Sequence, residues 1–354
     1  MVRVDEAEGT ALDQPRQALP ETSPSVSSVA RLGSYTAAVS VTTDSCLRNR
    51  WRELSQQLWR PFGELIILLL MLNQTEELAK VDEGAYRPFI RLPGDIKKSC
   101  IILCDHACNT LPGDYATLGL SPDQLSRHIA YDIGAAGVTS YLSEFLGVPA
   151  VMANFSRLLI DPNRGADDPT LIMQISDGAV VPGNAHADAD EIERRKAAFY
   201  RPYHDAIDTL IDEALAARTI PILVSIHSFT ERFKGHIRPW HAAVLWDHDD
   251  RLPRPLIDAL RSEPDIIVGE NEPYSGELKG DCLFQHGTKR GLAHALIELR
   301  QDLIGEPSGQ RAWAERLSRV LTELFSHPTL AAELRTVRFY GSKTENMPND
   351  QIAE

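Results

Sequence analysis

Over 354 residues the chain carries a formal charge of −14, with 43% hydrophobic and 24% charged residues. Such a balance belongs to a globular protein with room for two domains, or for one large domain with extensions. The acidity excludes a nucleic acid or an anionic membrane as partner, since both require a basic surface, but it leaves room for a small anionic ligand in a locally basic pocket. No protein partner is indicated.

The five cysteines are odd in number and scattered, which suits thiols in a reducing cytoplasm. Cys100, Cys104 and Cys108 are evenly spaced but straddle a predicted strand and a turn. They read as small buried hydrophobes rather than a metal cluster. No secretory signal is expected at the N-terminus. The most apolar stretch, Leu65 to Leu72, is far shorter than the roughly 20 residues that cross a bilayer.

Residues 1–45 are rich in Ser, Thr, Ala, Pro and Gly and predict disorder. Residues 46–85 predict a helical appendage of unknown role, interrupted at Pro61. From Tyr86 the pattern becomes regular. A strand over 99–104 precedes a polar loop, and a helix starts near Ser121, whose hydroxyl caps it while Pro122 fits the first turn. A helix over 130–146 stops at Gly147, and strands follow at 148–152 and 156–160. A long charged helix runs from Glu191 to Arg218, with a kink expected at Pro202. Strands at 220–226, 241–246 and 265–269, a helix at 254–262, a strand at 293–300 and an amphipathic helix at 310–325 complete the domain. Apolar strands alternating with helices predict a single three-layer α/β domain over 86–338, with a loose tail at 339–354.

Two histidines stand out because each follows an apolar strand, His106 after Ile101–Asp105 and His227 after Ile220–Ile226. Strand ends in an α/β sheet open into a crevice, and two imidazoles delivered there are suited to one metal ion. Asp132, near a helix start, either completes a His/Asp/His set or simply complements the helix N-terminus. Arg157 and Arg164 bracket an apolar segment with Asp161 between them. They are suited to bidentate capture of carboxylates, and an ion pair to Asp161 competes for one of them. Glu298 lies in the apolar run Ala295–Arg300, where a carboxylate is either a general base of raised pKa or the partner of a cation such as Arg300. The turn Asn271–Gly276 and the other histidines carry less weight. Neither a glycine-rich phosphate loop nor a G-x-S-x-G elbow is present.

Six short motifs occur in one order: Asp105–Asn109, Ala130–Gly134, Ser156–Arg164, Ile226–Phe229, Asn271–Gly276 and Ile297–Arg300. With them the chain from about Tyr86 to Ile304 resembles the N-formylglutamate amidohydrolase (deformylase) family. The resemblance implies a phosphorylase/hydrolase-like fold shared with zinc carboxypeptidases, a mixed sheet between helix layers. It implies a cytoplasmic zinc amidohydrolase, one Zn2+ per chain, placed in histidine degradation and cleaving N-formyl-L-glutamate to formate and L-glutamate. Carried over, the metal ligands are His106, Asp132 and His227. The position three residues after His106, a ligand in carboxypeptidase-like sites, is Asn109, so the carboxylate is assigned to Asp132. Glu298 becomes the general base acting on metal-activated water. Arg157 and Arg164 hold the substrate carboxylates, with Arg238, Asn271 and Tyr274 as weaker candidates. Two alternatives stay open, an amidohydrolase of another N-acyl amino acid or small amide, and a catalytically silent binding protein.

Overall fold

The computed structural model describes residues 86–344. The chain divides after Glu83 into two units, and these residues belong to the second. The expected disorder of 1–45 and the expected helical appendage lie outside the described residues.

The core of the second unit is a mixed sheet of seven strands, named in chain order β1 (Phe89–Leu92), β2 (Cys100–Cys104), β3 (Ala150–Ala153), β4 (Ile222–Phe229), β5 (Ala242–Leu245), β6 (Val268–Glu270) and β7 (His294–Arg300). Their order across the sheet is β1-β3-β2-β4-β7-β5-β6. The four central strands β3, β2, β4 and β7 run parallel. Strand β1 is antiparallel to β3, and β5 is antiparallel to β7. All five residues of β2 and all eight of β4 are buried, as central parallel strands covered on both faces must be.

One face is covered by helices α1 (Ala135–Leu146), α3 (Pro253–Arg261) and α4 (Pro307–Ser326), which bury Val138, Leu142, Leu256, Leu260, Leu317 and Leu321 against Ile102, Val224 and Ile297. Helix α2 (Arg201–Ala216) covers part of the other face with Tyr203, Ile207 and Leu210 against Leu103, Leu223 and Leu296. The expected three-layer αβα architecture is therefore present.

Several elements differ from the sequence reading, each for a local reason. Strand β4 continues to Phe229, so His227 lies within the strand rather than after it. Residues 156–160 are turns, not a strand. Their backbone bonds go to separate segments, Ser156 N–H to the Thr110 carbonyl and Arg157 N–H to that of Ala130, so no neighbouring strand is available to pair with them. The long charged helix begins at Ala189 and passes through a π turn at Lys196–Tyr200 before α2. Pro202 has no N–H for the carbonyl four residues back, and the wider turn just ahead of it accommodates that loss without a break. Ser121 does cap, forming a reciprocal capping box with Gln124, but the helix is one turn long. Helix α1 starts at Ala135, after Gly134. Cys100 and Cys104 are buried at the two ends of β2, while the Cys108 thiol points to the Ala153 carbonyl.

Gly134 fixes where α1 begins, and thus where Asp132 sits. Its φ of +84° favours glycine, and an added Cβ would lie 2.1 Å from the Ile304 carbonyl oxygen. Gly134→Ala is expected to cost about 2 kcal/mol or more, from strain and the backbone clash together. An unchanged urea midpoint would contradict this placement of the helix start.

Candidate active site

The parallel strands deliver the site at their carboxyl ends, the usual crevice of such sheets. His106 follows β2 by two residues and His227 lies in β4. Glu298 of β7 is the register partner of His227, so the two side chains share a sheet face. Asp132 arrives from the turn before α1, tied by its own N–H to the His106 carbonyl at 2.9 Å. All four residues are buried.

Asp132 lies between the two rings. Its Oδ2 is 2.8 Å from His227 Nδ1, 3.4 Å from His106 Nδ1, and accepts the Ser228 N–H at 3.2 Å. The far nitrogen of each ring meets another buried carboxylate. His106 Nε2 is 2.7 Å from Asp161 Oδ1, and His227 Nε2 is 2.8 Å from Asp105 Oδ2. Asp105 also accepts from the Tyr203 and Ser225 hydroxyls at 2.8 and 2.9 Å. Burial alone would raise the pKa of Asp105, but the bond and charge of His227 outweigh it and hold the carboxyl below its ordinary range. Burial likewise opposes charge on Asp161, and Arg157 ahead of His106 overturns it.

This arrangement has a chemical consequence. In the neutral tautomer whose Nε2 proton goes to the outer carboxylate, each ring turns an Nδ1 lone pair towards a third acceptor, the Asp132 carboxylate. Ring nitrogens and carboxylate oxygen lie within 4.8 Å of one another. Three converging acceptors repel unless a cation or extra protons lie among them. In the protein alone that role falls to protons. Burial disfavours charge on His227, yet its bonds to Asp105 and Asp132 raise its pKa well above the usual value. A divalent ion satisfies the same demand, and carboxylate–histidine pairs are the common outer support of histidine ligands. The donor set therefore fits a metal.

Glu298 Oε2 is buried without a hydrogen-bond partner. Burial is the main cause that raises its pKa to about 7, with His227 opposing and Asp132 adding to the rise. Arg300 does not pair with it, since that guanidinium lies on Asp302 at 2.7 and 3.1 Å.

A cavity of about 430 Å3 opens over these groups. Arg157 lines it while donating Nε and Nη2 to Asp161 at 3.1 and 2.7 Å, so it forms the ion pair weighed against carboxylate capture. Arg164 and Tyr274 also line the cavity. Arg238 stands behind Tyr274, donating to its hydroxyl at 3.1 Å. Asn271 is brought into the fold differently, its side-chain oxygen accepting the Trp246 and Gly276 N–H groups at 2.9 and 3.1 Å. Asn109 donates to the Leu125 carbonyl at 2.8 Å, away from the ligand cluster.

Residues not singled out from the sequence complete the site. Asp105 was legible only as the neighbour of His106, and Gln301, Ser228 and Thr344 at the cavity wall carry no local signal. A second group of possible donors, His204, Cys282 and His286, adjoins the first, since the Cys282 thiol is hydrogen-bonded to Asp105. There His204 Nδ1 and His286 Nε2 are hydrogen-bonded at 2.8 Å, and His286 Nδ1 meets Asp208 at 3.0 Å.

The N-formylglutamate amidohydrolase family model matches residues 98–305. A solved gene product of Agrobacterium tumefaciens is 32% identical, with 72% of this chain and 98% of that one covered and a TM-score of 0.66. An N-formylglutamate amidohydrolase from Ralstonia eutropha JMP134 is 22% identical, with 70% and 98% covered and a TM-score of 0.52; at that identity it speaks to the fold. No curated protein matches the chain.

If Asp105 and Asp161 orient the two rings for a metal, Asp105→Asn and Asp161→Asn should each weaken zinc affinity about 10- to 100-fold. Competition against a chromophoric chelator measures this, and unchanged affinity would remove them from the ligand support.

Proposed function

The chain belongs to the N-formylglutamate amidohydrolase family, hydrolases of linear amide C–N bonds, and on that premise we propose that it cleaves N-formyl-L-glutamate to formate and L-glutamate. The observation that carries the reading is a buried carboxyl with one unpartnered oxygen, Glu298 Oε2, on the same sheet face as His227 and over one cavity with His106 and Asp132.

His106, Asp132 and His227 would hold one zinc ion, the metal to which two imidazoles and a carboxylate are well suited. Bound there, zinc supplies Lewis-acid polarisation and lowers the pKa of water. Glu298 then acts as the general base. A carboxyl raised to about 7 can take a proton from the attacking water at Oε2 and return it to the departing nitrogen near neutral pH. The C–N bond breaks, the water oxygen ends in formate, and the nitrogen leaves as the amine of glutamate.

Arg164 and Arg157, the latter held between Asp161 and, through Nη1 at 3.7 Å, Asp132, give the cavity a positive side for a small anionic substrate. Asp161 restrains Arg157 from swinging away while His106 shares the same carboxylate. Tyr274, steadied by Arg238, adds a hydroxyl at the wall. The four described cysteines are free thiols, in keeping with a cytoplasmic enzyme. Among the described residues no helix is long and apolar enough to cross a membrane.

Formate release from N-formyl-L-glutamate tests the reaction. Activity should vanish with a strong chelator and return with zinc. Glu298→Gln should lower kcat by about 100-fold or more with zinc content unchanged. Retained activity in this variant would reject Glu298 as the base, and activity indifferent to chelation would reject the metal.

A further inference from the structure

Besides the histidines, carboxylates and arginines, the cavity has an apolar part of its lining. Side chains alternate along a strand, so Leu296 shares the face of Glu298, two residues on. Leu245 of β5 is the register partner of Leu296. Both line the cavity, and Leu278 from the loop after Gly276 joins them. The three leucines make an apolar recess directly beside the Glu298 carboxyl.

The charges beside these leucines are already paired with one another. Glu277 lines the cavity there and is held by Lys343 at 2.6 Å. Lys343 and Thr344 close it. The Lys343 N–H bonds to the Asp247 carboxylate at 3.2 Å, and Thr344, 3% exposed, reaches the cavity. The segment before the closing residues is anchored as well, by the Arg338 N–H on the Gly291 carbonyl at 2.8 Å and by Arg251 stacked over Tyr340. A substrate carboxylate placed here would meet three leucines and compete with Glu277 for Lys343. An uncharged apolar side chain would instead bury its surface.

We propose that this recess receives an apolar amino-acid side chain, so that N-formyl amino acids such as N-formyl-L-methionine are substrates alongside N-formyl-L-glutamate. The inference rests on the amide hydrolysis proposed above, and the bond changes are the same. Water adds to the formyl carbon, the C–N bond breaks, and formate and the free amino acid leave. Specificity then has two parts. Arg157 and Arg164 hold a carboxylate, and the leucine recess selects the side chain.

The test compares kcat/KM for N-formyl-L-methionine and N-formyl-L-glutamate in the zinc-loaded full-length enzyme and in Leu278→Asp, a half-buried loop position. The wild type is expected to turn over N-formyl-L-methionine with kcat/KM no more than about tenfold below that for N-formyl-L-glutamate. Leu278→Asp should lower the ratio of the two by about tenfold or more, the scale at which hydrophobic pockets discriminate. Thr344→Trp, which fills the recess from its far wall, should shift the ratio in the same direction. A ratio indifferent to both variants would overturn the inference, as would N-formyl-L-glutamate turnover with none of N-formyl-L-methionine. If neither substrate releases formate, the hydrolytic reading fails, and calorimetric titration of N-formyl-L-methionine into Glu298→Gln decides the recess separately. Binding weakened by adding Leu278→Asp supports it, and absence of binding overturns it.

Discussion

Three candidate ligand groups, the imidazoles of His106 and His227 and the carboxylate of Asp132, are pressed together out of water, and the rest of the domain is arranged to keep them there. Left to themselves they would separate or gather protons. Asp161 and Asp105 prevent the first by gripping the far side of each ring. Each outer carboxylate is itself overdetermined, Asp161 by Arg157 and the Asn163 N–H, Asp105 by Tyr203 and Ser225. The cluster is thus fixed from outside, with its inner atoms grouped as candidate ligands.

The sheet supplies the positioning. Strands β2 and β4 are neighbours, as are β4 and β7, so His106, His227 and Glu298 come from three adjacent strands with spacing set by backbone hydrogen bonds. Sites built on strands are more rigid than sites on loops. Asp132 and His106 stand on turns, His106 two residues past β2, and there a left-handed glycine and the backbone bond between the two provide the rigidity. Helix α2 serves both packing and chemistry, because Tyr203 fills the core between the layers while its hydroxyl reaches Asp105.

Much of this was legible in the sequence because it depends on local pattern. A run such as Ile101–Cys104 can only be a buried strand in a soluble chain, and a histidine just beyond it must face a crevice. Glu298 stood out because no carboxylate belongs in an apolar strand without a task. What depends on tertiary partners was not legible. Ser156–Ile160 has strand composition, yet its neighbours in space are loops, so it turns. The partner of Arg157 was open between substrate and Asp161 until the fold placed both beside His106. Thr344 lies far along the chain from the other cavity residues, and no periodicity links a tail residue to a pocket.

The central claim is that the His106, Asp132 and His227 cluster is a cation site. The most direct measurement is a crystal structure of the zinc-loaded protein with anomalous data collected on both sides of the zinc edge. A single strong anomalous peak bonded to His106 Nδ1, His227 Nδ1 and Asp132 is predicted, with Asp161 and Asp105 still on the outer nitrogens. A cluster held together by hydrogen bonds alone, with no peak there or with the peak at His204, Cys282 and His286 instead, would contradict it.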